Sequence, residues 1–172
     1  MTTKRKRKAS STVNAQPLKV ETWPLERLRD YDKNPRKNDH VVDRMIDAIR
    51  EFGFRIPIVA RSDGEIVDGH LRAKAARRMG LTEVPVALAD DLTEDQVKAF
   101  RLLANRSASW AEWDDNLLKL ELGSLQSSGF DLLATGFDGM DLGLLGMPGF
   151  TLAEVIEKAE ETPAPPAKPT SK

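Results

Sequence analysis

The stretch that decides the fold is "EIVDGHLRAKAARRMGL", residues 65–81. It opens with the β-branched pair Ile66-Val67 and turns at Asp68-Gly69. It then runs from His70 to Met79 with alanines interspersed among arginine and lysine, and stops at Gly80. β-Branched residues suit a pleated strand, whereas Ala, Leu, Arg and Lys are strong helix formers, so the order is strand, tight turn, helix, stop. Glycine at such a turn lets the backbone approach a ligand closely. The first amides of the following helix lack internal partners and, with the helix dipole, form an anion site. Arg72, in the first turn, can grip a phosphate with its forked donors. The plainer reading is that the helix only packs on the sheet, through Ala73, Ala75, Ala76 and Met79, with Arg77 and Arg78 as a solvated face. The stretch is neither a Walker loop nor a dinucleotide fingerprint.

Working outward, "LKVETW" (18–23) alternates apolar and polar residues as a half-buried strand does, and Pro24 opens a short helical turn. "YDKNPRKND" (31–39) is a loop, with Asp39 placed to cap a helix whose Val41, Val42, Met45, Ile46, Ile49 and Phe52 share one face. Gly53 ends that helix. "IPIVAR" and "EIV" flank Ser62-Asp63-Gly64 as a hairpin, and "VPVALA" (84–89) is a further buried strand. Thr93 and Gln96 form a capping box for "EDQVKAFRLLAN". Asp114 caps a last long helix, with Leu117, Leu118, Leu120, Leu122 and Leu125 expected inward and Trp110, Trp113 and Phe130 expected in the core. The prediction is an α+β fold: a small mixed-sheet domain with packed helices over 18–112, then a helical extension over 113–147.

Both ends differ in composition. Residues 1–17 are rich in Lys, Arg, Ser and Thr and are expected to form a disordered basic arm, either touching nucleic acid without sequence preference or only solubilising the chain. Residues 148–172 are expected to hold a short helix and a proline-rich disordered tail. The net charge is −1 in 172 residues, so any attraction to phosphate must be local. With no cysteine and only His40 and His70, disulfides, thiolate zinc sites and cysteine nucleophiles are excluded. No apolar run approaches the ~20 residues of a membrane span, and no apolar segment follows the basic start as in a secretory signal, so the expected location is the cytoplasm.

Two further segments bear on the anion site. "NPRKN" (34–38) places Arg36 in a loop after a proline, and "LLANRSASW" (102–110) places Asn105 and Arg106 at the end of a helix. Their plainer roles are surface charge for the arginines and a helix C-cap for Asn105. The ordered set — an "NPR" loop, a hairpin, "VDGHLRAKA", "VPV" and a late Asn-Arg — resembles the N-terminal domain of ParB-like proteins, of the ParB/sulfiredoxin superfamily, from about Leu18 to Arg106. The extension is similar to the segment that follows such domains in phage and mobile-element proteins associated with DNA methyltransferases.

The resemblance implies a nucleoside triphosphate, CTP or ATP, held at Gly69, His70, Arg72 and Ala73, with Arg36, Asn105 and Arg106 assisting. It also implies Mg²⁺ accompanying the phosphates, with Asp68 as a metal-water contact; the plainer role of Asp68 is to cap the helix it precedes. The implied setting is a DNA transaction such as segregation, modification or phage and plasmid DNA handling. The implied partners are DNA, a DNA methyltransferase or other phage protein, and a second copy of the chain. Segregation ParB carries arginines after a glycine–glutamate pair where this chain has His70 and Leu71, and glutamate where it has Ala104, so hydrolysis is not expected. The extension is short for a helix-turn-helix reader plus a dimerisation domain, so operator recognition is not expected either. Sulfiredoxin chemistry needs a cysteine. A phosphotransferase or nuclease on the same fold would need a base, for which Asp30 and Asp32 are the nearby carboxylates. A non-catalytic adaptor docking through the leucine-rich extension is the third reading.

Overall fold

The computed structural model describes residues 18–151 apart from Lys33, Lys37 and Ala108. The basic arm and the segment from residue 152 onward lie outside the described residues. Four strands form one mixed sheet: β1 (Val20–Pro24), β2 (Ile58–Ala60), β3 (Ile66–Asp68) and β4 (Glu83–Leu88), in the order β1-β4-β2-β3. β4 pairs antiparallel with β1, with Trp23 opposite Val84, and parallel with β2, with Val59 opposite Ala87. β2 and β3 form an antiparallel hairpin with a register irregularity at Val59/Ala60. Helices α1 (Val42–Phe52), α2 (His70–Arg78) and α3 (Glu94–Ser107) surround the sheet.

Adjacent residues of β3 face different clusters. Ile66 packs with Trp23, Ile58, Val84, Val86, Ala73 and Ala76, whereas Val67 packs with Ala89 and Val97. Side chains alternate across a strand, so the burial of both neighbours means that β3 is covered on both faces, by α2 on one and α3 on the other. α1 closes over α2 through Val42, Ile46, Ile49 and Ala75. The extension comprises α4 (Asp115–Ser127), a 3-10 turn (Leu132–Thr135) and α5 (Gly139–Leu144) around a small core of its own: Leu122, Leu132, Leu142 and Met147. It meets α1 where Phe52 stacks on Phe130 at 6.1 Å and where Arg44 pairs with Asp138 at 2.7 Å.

Most local signals hold. The Thr93 hydroxyl accepts from the Gln96 amide while the Gln96 side chain accepts from Thr93 N–H, and Asp114 accepts from the amides of Asn116 and Leu117. Four expectations are corrected. Asp39 does not cap; it opens a 3-10 turn (Asp39–Val41), and its carboxylate pairs with Lys74 Nζ at 2.7 Å. That ammonium holds the Asp39 carboxyl below the usual carboxylate range. Only Leu122 of the five α4 leucines is fully buried; Leu117 and Leu120 face solvent, as do Trp110 and Trp113. Phe52, at the end of the α1 face, is also exposed. Arg77 is not simply solvated: it bonds the Asp30 carboxylate and the Leu28 carbonyl, tying the 28–30 segment to α2.

The hairpin tip is packed against backbone. Gly64 has φ +95°, and a Cβ there would collide with the Arg27 carbonyl oxygen, while Gly64 O accepts from Arg29 N–H at 2.9 Å. Gly64→Ala is therefore expected to cost more than ~2 kcal/mol, from the left-handed backbone and the collision together. Gly80→Ala, also at positive φ but with open space around it, serves as the control at ~1–2 kcal/mol. Denaturant midpoints of the two variants measure the difference; equal losses would show that the hairpin tip yields.

Candidate functional site

β3 hands over to α2 at Gly69, whose φ of 96° and ψ of 19° place it in the left-handed region. A Cβ at this position would stand 3.1 Å from Arg72 Nη2 and 3.3 Å from the Cα of Ile58. Gly69 occupies the N-cap position with no side-chain cap, so Asp68 does not cap α2. The Ala73 amide is the first to bond back into the helix, to Gly69 O at 2.9 Å. The amides of His70, Leu71 and Arg72 are thus the unpaired start of the helix, the feature that favours an anion.

These residues form one wall of a cavity of about 360 Å³. Its other walls come from Asn34, Arg36, Asn38, His40 and Val41 in the loop before α1, from Met45, and from Ala104 and Asn105 at the end of α3. The loop is tied across to α3: Arg36 Nη1 donates to both the backbone carbonyl and the Oδ1 of Asn105, each at 3.2 Å. Asn105 is oriented in turn, its Nδ2 donating to Arg101 O at 2.8 Å. Residues 69 positions apart thereby close one polar enclosure.

The site residues expected from sequence are divided by this geometry. Gly69, His70, Arg72, Arg36, Asn105 and Asp68 line the cavity together. Ala73 is fully buried in the main core, with its amide committed to Gly69. Arg106 is exposed and is not among the lining residues. Arg72 is largely buried, its Nη2 donating to Asp68 Oδ2 at 2.9 Å and to Pro57 O at 3.4 Å, while its Nε is buried with no protein partner among the described residues. Asp68 is the lone carboxylate that the described residues bring to the cavity wall, and it is paired with that arginine. Of the two carboxylates named as candidate bases, Asp30 is engaged by Arg77, and neither it nor Asp32 lines the cavity.

A buried network behind the wall has no counterpart among those expectations. Arg101, 7% exposed, donates to Glu65 and to Ile66 O, and its guanidinium lies 3.6 Å from the Tyr31 ring centroid. The Tyr31 amide donates to His70 Nε2 at 3.3 Å. The signal in sequence was an arginine four residues after Val97, on the inward side of α3.

His70 is 9% exposed. Burial holds its pKa below the usual imidazole value, against the opposing pull of the Asp30 carboxylate. Nε2 must stay unprotonated to accept from Tyr31. A group whose folded-state pKa is depressed takes up its proton more readily when unfolded. Its stabilising contribution is complete above the unfolded value, ~6.5, and falls as pH drops below it. The wild-type denaturant midpoint should decline from pH 7 to 5, and more steeply than that of His70→Gln. Parallel profiles would place the pH response elsewhere.

With this geometry in hand, comparison with known proteins is specific. Residues 8–106 match the family described as the ParB N-terminal domain, and residues 116–172 match the ParB-methyltransferase HTH domain. The second match takes in the extension, which reads as short for a helix-turn-helix reader plus a dimerisation domain, and gives it the description of a helix-turn-helix domain alone. The ParB-like nuclease domain-containing protein YnaK of Escherichia coli K12 is 32% identical over 83 residues, which span 48% of this chain and 95% of that protein. Chromosome-partitioning protein Spo0J of Thermus thermophilus is 36% identical over 87 residues, spanning 48% of this chain but only 32% of its own length. In structure, the C-terminally truncated chromosome-partitioning protein ParB from Caulobacter crescentus, complexed with CTP-gamma-S, matches with a TM-score of 0.55 at 22% identity, covering 75% of this chain and 72% of that one. The match over more than half the chain makes this protein a member of the ParB N-terminal domain family.

Proposed function

We propose that the cavity binds a nucleoside triphosphate, with CTP the first to test, and that the chain uses it in a DNA transaction such as partition or modification. One observation carries this reading: the loop before α1 and the end of α3, distant in sequence, meet the start of α2 at one cavity, bringing Arg36, Arg72 and Asn105 to one enclosure. Backbone donors at a helix start, a forked cation and an amide side chain are the groups that phosphates need. The Caulobacter ParB, which shares the fold, is complexed with a CTP analogue. The DNA setting rests on the partition proteins among the relatives and on the match to the ParB-methyltransferase HTH domain.

Among the described residues no group of three or more His, Asp or Glu side chains could hold a metal ion. The donor set therefore fits Mg²⁺ only as an ion brought by the phosphates, with Asp68 touching it through water. Bound in that way, the ion would neutralise phosphate charge. Arg36 adds a cation from the loop side, and α2 orients the phosphates with its backbone.

The division of labour predicts different mutant behaviour. Arg36 is exposed, so Arg36→Ala should keep the fold and lose a charge-assisted hydrogen bond of ~1.5–3 kcal/mol, roughly a 10- to 150-fold loss of affinity. Arg72→Ala should weaken binding and also lower stability, because it strands the Asp68 carboxylate and the Pro57 carbonyl. Calorimetric titration with CTP, ATP, GTP and UTP plus Mg²⁺, with and without DNA, measures both; no binding by the wild type would reject the reading.

Ala104 lines the cavity, and a methyl side chain there cannot orient or deprotonate an attacking water as a carboxylate would. The wild type is expected to turn nucleotide over near background, and Ala104→Glu to raise the rate while weakening affinity through like-charge repulsion. Wild-type phosphate release at ~1 s⁻¹ or faster would overturn this expectation.

A further inference from the structure

Asn38 stands on the cavity wall in an unusual state. It occupies the N-cap position of the Asp39–Val41 turn, where asparagine ordinarily caps through its side-chain oxygen, yet it makes no such bond. Its Oδ1 instead accepts from Lys74 Nζ at 3.0 Å. An ammonium group has donors only, so this contact settles which end of the amide faces Lys74. Nδ2 is then the end turned elsewhere. The residue is only 6% exposed, but Nδ2 has no hydrogen-bond partner among the described residues and is not among the atoms shut off from solvent. The residue itself is among those that line the cavity.

On a residue so nearly buried, amide donors that no protein group uses stay available to an acceptor that enters the cavity. Lys74 is itself anchored by the Asp39 carboxylate at 2.7 Å, so the orientation of Asn38 is set by a chain of contacts outside the cavity. We infer that Asn38 is a ligand-binding residue of this cavity, donating from Nδ2 to an acceptor atom of the nucleotide, with Lys74 as its positioning residue. This inference rests on the nucleotide reading and adds a residue outside the anion site of α2. The acceptor is a phosphate oxygen or an acceptor atom of the sugar or base. Either takes the same hydrogen bond, and both are absent from a ligand edge that only donates.

The test uses the full chain, with titrations of CTP, UTP, ATP, GTP and tripolyphosphate in Mg²⁺ on the wild type, Asn38→Ala and Asn38→Ser. Serine keeps an acceptor for Lys74 and one donor for the ligand, whereas alanine keeps neither. Asn38→Ala should bind about 10-fold more weakly or worse, Asn38→Ser should recover part of that loss, and the thermal midpoints of the two variants should agree closely. A purely structural role would not separate serine from alanine in affinity while leaving their stability alike. Loss towards tripolyphosphate as well as nucleotides places the acceptor on the phosphates; loss towards nucleotides alone places it on sugar or base. Wild-type affinity in Asn38→Ala, or equal loss in both variants, overturns the inference while leaving the nucleotide reading standing. A wild type that binds none of the five probes removes both.

Discussion

The grip of Arg72 on the turn that precedes it is the contact on which the rest of the molecule depends. β3 must end and α2 must begin within one residue, and only glycine tolerates the required backbone so close to Ile58. Arg72 reaches back from the first turn to Asp68 at the end of β3 and to Pro57 just before β2. One side chain thus fixes the start of the helix against two strands. Ala73 and Ala76 then fall into the main core, and the unpaired amides fall on the cavity wall. The same clamp limits what Arg72 can offer a ligand, because its charge is already matched by Asp68. The cationic contribution that the site can spare comes from Arg36, across the cavity.

Much of this was legible because local signals and the global fold agree. The turn at Gly69, the hairpin at Gly64, the capping box at Thr93 and the cap at Asp114 each follow from residue chemistry that needs no distant partner. The misplaced side chains of α4 follow from treating a leucine-rich helix as one-sided. At 100° per residue, Leu118, Leu122 and Leu125 fall within an arc of roughly 60°, whereas Leu117 and Leu120 lie roughly 110° and 170° from its centre. Leu122 is buried and Leu118 and Leu125 pack beside it, as that arc requires. Asp39 shows a different failure. A good capping residue was available, but Lys74, 35 positions away, holds its carboxylate instead.

The site divides along the same line. Gly69, Arg72 and the helix start can be read from a few consecutive residues. The closure of Arg36 on Asn105 spans 69 positions and came into view only through the ordered family motifs. The Arg101 network and Asn38 stayed hidden for a physical reason: an inward polar residue in a sequence looks like an interruption of an apolar face. Its meaning appears only with its partners, Glu65 and Tyr31 for Arg101, and Lys74 for Asn38.

On the nucleotide reading, this construction separates binding from turnover. The anion end of the cavity is made largely of backbone amides, whose presence does not depend on which side chains follow Gly69. That end therefore does not depend on the side chains of His70 and Leu71. Hydrolysis, as proposed above, has no such protection, because a water to be activated there would need a carboxylate, and Ala104 supplies none. A fold that holds phosphates through its main chain can lose catalysis by a single side-chain change and still bind. What it can then transmit is the difference between its empty and filled states. The element best placed to register that difference is the exposed Arg36 loop, which a single arginine ties to the end of α3, from which the chain continues towards the helical extension.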